Sequence, residues 1–157
     1  MTEKRYVSWN DFNGLTNSIV RQIQVQKFNP DVVIGPGRGG YIPGVMLSHY
    51  FEVPFEGFDW QTRDGKIEDS SKLNDILSKY MGKNILVVDD INDTGTTLLG
   101  IDKIVQENDK LFLHGDVKYA TIFEKLSSNF GEVEFIGEEI SPENDKWIVF
   151  PYEEWWT

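Results

Sequence analysis

Between Ser8 and Phe28 the apolar residues Phe12, Leu15, Ile19 and Ile23 recur at steps of three and four, which lays them along one stripe of an amphipathic helix. Ser8 and Asp11 form a capping pair at its start, and Pro30 is expected to end it. The period then changes. Asp31-Val32-Val33-Ile34 is a β-branched run between Pro and Gly, the mark of a buried strand. A glycine-rich turn leads into a helical pattern from Tyr41 to Phe51, where Pro43 fits the first turn. Val53 to Trp60 reads as a second strand. Residues 61–75 are polar and lack an apolar period, so a long exposed loop is expected there, of a length that is usually functional. A short helix from about Asp75 to Met81 should stop at Gly82. Asn84 to Val88 is the most strand-like segment, and a helix is expected from about Thr96 to Gln106. Lys118 to Phe123, Val133 to Ile136 and Trp147 to Phe150 are the remaining predicted strands.

Strands alternating with helices predict an α/β fold, with one domain over residues 1–157 built on a mostly parallel twisted sheet flanked by helices. Composition narrows function more than fold. With 15 Lys and Arg against 26 Asp and Glu the net charge is −11, which disfavours a nucleic-acid partner, because binding that backbone relies on basic side chains displacing counterions. The absence of Cys removes disulfides, thiolate metal sites and a thiol nucleophile. His49 is read as a structural helix residue and His114 as a loop residue. The longest apolar runs, ILVV at 85–88 and WIVFPY at 147–152, fall far short of the ~20 residues that span a bilayer, and MTEKRYVSWND has no apolar leader. A soluble cytoplasmic protein with no membrane partner is expected.

In open α/β sheets ligands bind beyond the carboxyl ends of the strands, which draws attention to two loops. The first, Gly35-Pro36-Gly37-Arg38-Gly39-Gly40, fits G-x-G-x-x-G between a strand and a helix. Alone it suggests a dinucleotide site, with Glu56 or Asp59 as a poor ribose-binding acid, or merely a flexible turn. Arg38 adds a guanidinium to the exposed amides, which suits phosphate oxygens. In the second, Asp89, Asp90 and Asp93 follow ILVV, so carboxylates crowd where an apolar strand leaves the core, and they repel unless protons, a cation or ligand hydroxyls compensate. Thr94-Gly95-Thr96-Thr97 then offers hydroxyls and amides at a helix N-terminus, an anion site. A matching ligand has a sugar diol or Mg²⁺ for the acids and a phosphate for the helix end. No G-x-x-x-x-G-K-[ST] occurs, which disfavours nucleoside triphosphate hydrolysis.

ILVVDDINDTGTTL closely resembles the phosphoribosyl diphosphate (PRPP) motif of the type I phosphoribosyltransferases, and VVIGPGRGGYIPG resembles their pyrophosphate loop. ATIFEKLSS and DKWIVFPYEEW look like the base-binding segments of the bacterial and archaeal xanthine-guanine-hypoxanthine members, a base-recognition region of about 124–157. The resemblance implies transfer of the phosphoribosyl group of PRPP to a 6-oxopurine, with Mg²⁺ as cofactor. It implies PRPP contacts at Asp89, Asp90, Asp93, Thr94, Gly95, Thr96 and Thr97, with Asp89 and Asp90 on the ribose hydroxyls and on Mg²⁺ through water and PRPP. Gly37, Arg38, Gly39 and Gly40 would hold pyrophosphate, and Asp93 would be the catalytic acid exchanging a proton with the base. Lys125 would donate to the purine O6, Trp147 would stack on the ring and Ile148 would present backbone groups. A mobile hood is implied at about 60–75, and a homodimer or homotetramer is expected. Thr96 stands where a Gly is common, Leu126 where a Pro is, and Tyr152 where a Trp is. Trp155 and Trp156 are read as packing or subunit contacts, and Glu132 to Asp145 as a solvated acidic face.

Overall fold

The computed structural model describes residues 2–60, 62, 63, 66, 67, 69–109 and 115–157. A short strand β1 (Lys4–Tyr6) precedes helix α1 (Trp9–Val25), which begins with the expected capping box: the Asp11 amide donates to Ser8 Oγ at 3.0 Å, and the Ser8 amide donates back to the Asp11 carboxylate. Pro30 does not end this helix. The Lys27 amide folds back to the Gln24 carbonyl and the Phe28 amide to the Ile23 carbonyl, with Lys27 left-handed at φ 55°, so a Schellman turn stops the helix and drops Phe28 into the core.

Then come β2 (Val32–Gly37), α2 (Tyr41–Phe51), β3 (Phe55–Asp59), a small antiparallel pair β4 (Thr62–Arg63) and β5 (Lys66–Ile67), and α3 (Ser71–Lys79). Residues 71–75, expected as loop, are the first turn of α3. The Asp69 carboxylate accepts the Ser71 amide at 2.8 Å, which lets the helix start early enough to bury Leu73 with Ile76 and Leu77. The implied hood thus includes one two-strand pair, and its positions 61, 64, 65 and 68 lie outside the described residues, as does His114. The chain continues through β6 (Ile85–Asn92), α4 (Thr96–Asp109), β7 (Val117–Lys125), β8 (Phe135–Ile140), a single 3₁₀ turn at Pro142–Asn144, and β9 (Trp147–Val149).

Five strands form one all-parallel sheet in the order β3-β2-β6-β7-β8, the predicted α/β architecture. Alternation along β6 divides the core in two. Leu86 and Val88 face Phe12, Ile19, Ile23 and Leu47 of α1 and α2, while Ile85 and Val87 face Leu73, Ile76, Leu77, Leu98 and Ile101 of α3 and α4. No helix joins β7 to β8, because α1 already covers that end of the sheet: its Gln22 side-chain amide donates to the Ile136 carbonyl at 2.7 Å and accepts the Ile136 amide at 3.0 Å. The expected strand at Trp147 to Phe150 exists but lies outside the main sheet. It pairs in parallel with β1, an element too short for periodicity to reveal.

Candidate active site

Because all five strands run the same way, the ends of β2, β6 and β7 open on one edge of the sheet. From β2 the chain moves outward to β3, then returns on the other side of β2 as β6, so the strand order reverses between β2 and β6. A crevice forms at such a switch point, and the two singled-out loops flank it.

The glycine loop is pressed against the end of β6. It turns back through the Gly40 amide on the Pro36 carbonyl and the Tyr41 amide on the Arg38 carbonyl, both at 3.0 Å, and its Gly37–Arg38 peptide is cis. A Cβ on Gly39 would lie 2.5–2.6 Å from the carboxylate atoms of Asp90, so only glycine allows this approach. Arg38 is exposed beside it at the start of α2. Glu56, weighed above as a dinucleotide ribose acid, is tied instead to Lys79 at 2.9 Å.

β6 runs further than expected, so Asp89 and Asp90 are strand residues whose carboxyl groups interact directly, while Asp93 lies beyond the strand. The three acids therefore do not share one environment. Asp89 is buried, accepts the Asp90 amide at 2.9 Å, and is pushed well above the usual carboxylate range by burial and then by the charge of Asp90. Asp90 is also raised, by burial, although the Ile91 amide at 2.7 Å and the Tyr152 hydroxyl at 3.1 Å donate to it. Tyr152 links the acid pair to the C-terminal segment, stacks on Phe150 with ring centroids 5.3 Å apart, and has its own phenol raised by burial and by Asp90. In the sequence Tyr152 marks only a departure from a motif, and the signal for it is the pair of aromatics, Phe150 and Tyr152, on either side of Pro151.

Asp93 is half exposed and ion-paired with Lys125, 2.8 Å away, so these two predicted residues do meet. A second carboxylate, Asp145, reaches the same ammonium at 2.8 Å. Burial works to lower the Lys125 pKa, but the hydrogen bonds that its ammonium donates to Asp145 and Asp93 carry it above the ordinary lysine value. Asp145 belongs to the stretch expected as a solvated acidic face. That expectation fails in part, since Glu138 pairs with Arg5 and Glu134 accepts the Tyr119 amide at 2.7 Å.

At the start of α4 the Thr94 and Thr96 hydroxyls lie 3.0 Å apart and Gly95 adopts φ +92°, a left-handed turn pressed against residues 128–130. First-turn amides of α4 have no partner within the helix and suit an anion. Asn92, one residue before Asp93, is buried; its side-chain amide donates to Glu124 Oε1 at 2.8 Å and to the Phe130 carbonyl at 2.9 Å, and the Thr121 hydroxyl donates to Glu124 at 3.1 Å. This polar knot was not anticipated.

In β9, Trp147 is 60% exposed, so its ring is not core, whereas Ile148 is buried. Trp155 and Trp156 meet edge to face but are 75% and 70% exposed, so they are not packed within the chain. His49 is exposed in the last turn of α2. Among the described residues no helix is long and apolar enough to cross a membrane.

A family model for the phosphoribosyl transferase domain matches residues 7–154. This chain belongs to that family. The dinucleotide reading of the glycine loop is thereby set aside. A xanthine-guanine phosphoribosyltransferase of Idiomarina loihiensis is 26% identical over 94% of this chain and 86% of its own length. Xanthine phosphoribosyltransferase 1 of Saccharomyces cerevisiae is 24% identical over 61% of this chain, and the match spans 57% of that relative. The crystal structure of a purine phosphoribosyltransferase from Pyrococcus horikoshii superimposes with a TM-score of 0.73 at 27% identity, covering 97% of this chain and 95% of that one. The fold is also shared with a Helicobacter pylori xanthine-guanine-hypoxanthine phosphoribosyltransferase, at TM-score 0.75, 24% identity and 97% and 93% coverage.

Proposed function

We propose that the protein transfers the 5-phosphoribosyl group of PRPP to a 6-oxopurine, giving a nucleoside 5′-monophosphate and pyrophosphate. The observation that carries this reading is the Lys125 ammonium, held as a cation by Asp93 and Asp145 on the sheet edge that also bears the buried acid pair and the glycine loop. A lysine kept charged only donates. It accommodates a carbonyl at the purine 6-position and has nothing to offer an exocyclic amine.

In the reaction the bond from ribose C1 to pyrophosphate breaks and a bond from C1 to a purine ring nitrogen forms, through a centre with oxocarbenium character like that of other glycosyl transfers. Arg38 and the amides of residues 37–40 meet the charge growing on pyrophosphate, while Thr94 to Thr97 and the first turn of α4 hold the 5′-phosphate. Asp89 and Asp90 take the ribose hydroxyls. Asp93 exchanges a proton with the base, Lys125 fixes its O6, Trp147 offers its open face for stacking, and Ile148 presents backbone groups to the purine edge.

Mg²⁺ fits the acid pair, because two adjacent carboxylates with raised pKa values are relieved by a cation. Among the described residues no three acids or imidazoles gather to hold a metal alone, which fits an ion completed by water and by the substrate's own oxygens. When bound, it would neutralise charge on the departing pyrophosphate.

Adenine phosphoribosyltransferases of Methanococcus maripaludis also align, one at 30% identity over 50% of this chain, so adenine belongs in the test. Pyrophosphate release from PRPP is measured with hypoxanthine, guanine, xanthine and adenine, with and without Mg²⁺. Turnover with at least one 6-oxopurine and not with adenine is expected; turnover with adenine alone, or with no base, overturns the proposal.

A further inference from the structure

The two carboxylates and one ammonium near the base-recognition segment are not equally explained by the chemistry above. Asp93 and Lys125 have roles in the transfer, but Asp145 does not. It sits just after the Pro142–Asn144 turn and two residues before Trp147, and its Oδ1 lies 2.8 Å from the Lys125 ammonium. An exposed ion pair of this length usually contributes little. Here the lysine side chain is only 14% exposed, and its Nζ already meets Asp93 at 2.8 Å. An ammonium has three N–H groups, and two carboxylates occupy two of them. The third is left for a ligand oxygen, in a direction fixed by the other two.

We infer that Asp145 is a positioning residue for base recognition: it orients the Lys125 ammonium toward the base carbonyl and ties that ammonium to the segment that delivers Trp147 and Ile148. The inference rests on the base-binding reading proposed above. Recognition is then cooperative, since the same contact that aims the lysine also seats the stacking ring. The groups facing the ammonium are the carboxylates of Asp93, from the β6–α4 loop, and Asp145, from the β8–β9 connection. Glu124, next to Lys125 in the chain, is engaged by Asn92 and Thr121 instead, and Lys146, next to Asp145, pairs with Glu3.

The test compares wild type with Asp145→Asn and Asp145→Glu in steady-state kinetics, using PRPP and whichever 6-oxopurine the wild type turns over. Asp145→Asn should raise KM for the base roughly tenfold or more, the scale of a lost charged hydrogen bond, and leave KM for PRPP within about twofold. It should also move the alkaline limb of kcat/KM for the base to lower pH, because a lysine with one carboxylate fewer loses its proton more readily. Asp145→Glu should recover part of both effects. A residue that only shaped the turn would lower thermal stability and affect both substrates, with the alkaline limb unmoved. An unchanged KM for the base, or an unmoved alkaline limb, in an active wild-type background overturns this inference alone. A wild type inactive with every base overturns the reading beneath it as well.

Discussion

At the scale of single residues, one of the tight approaches across the crevice has no side chain on one side. A methyl group on Gly39 would have to occupy space that the Asp90 carboxylate fills, so either the loop carrying Arg38 must retreat or the carboxylate must leave its bonds to the Ile91 amide and the Tyr152 hydroxyl. Gly39→Ala is expected to lower kcat/KM for PRPP by about 100-fold, the cost of a misplacement near 1 Å, while circular dichroism and thermal midpoint stay close to wild type. Asp93→Asn keeps the shape of the loop and removes the proposed proton acceptor; the turnover rate should fall by roughly 10² to 10⁴ in single-turnover assays. Lys125→Ala should act on the base, raising its KM or relaxing rejection of adenine, with PRPP binding by calorimetry nearly intact. Local pattern and resemblance single out the acids, the glycines, Lys125 and Trp147, and the structure brings Asp93 to Lys125 and Gly39 to Asp90. Local pattern does not single out Asp145 or Tyr152, because their partners Lys125 and Asp90 lie 20 and 62 positions away in sequence, and no period connects them.

Between neighbouring elements, the ends of β6 and β7 are locked by a buried polar pair. Asn92 and Glu124 face each other in register, each immediately before a residue of the proposed base site, Asp93 and Lys125. Removing one partner strands the other. Glu124→Ala is expected to cost about 1–3 kcal/mol in denaturant unfolding, and the double variant Asn92→Val with Glu124→Ala to recover only part of it, since the Asn92 orphan is removed but the Phe130 carbonyl and the Thr121 hydroxyl lose their partners. Burial raises the Glu124 pKa, so between its unfolded and folded values the native state holds the extra proton and stability falls as pH rises through that window. Glu124→Gln should therefore flatten the decline of thermal midpoint above about pH 4. Helix α1 is visible in hydrophobic period because it buries one repeating face, and β2, β6 and β7 are visible as apolar runs because both of their faces are buried. The early start of α3 depends on Asp69 as a cap, the end of α1 on a left-handed Lys27, and the pairing of β1 with β9 on a contact across almost the whole chain; none of these leaves a periodic trace.

At the scale of the whole molecule, a net charge of −11 opposes the approach of a polyanionic substrate. Raising monovalent salt from about 10 mM to about 150 mM shortens the screening distance from roughly 30 Å to roughly 8 Å and should speed PRPP association in stopped-flow measurements. A slower association would mean that the local field of Arg38 and α4 outweighs the global charge.

The β1–β9 ribbon has a temporal implication. Lys4 to Tyr6 leave the ribosome more than 140 residues before their partners Trp147 to Val149. The central sheet, with its two crevice loops, contains every strand it needs before that. Selectivity for a base would then be acquired after the central sheet is complete, and a bulky fusion ahead of Lys4 should be felt first as promiscuity rather than as misfolding.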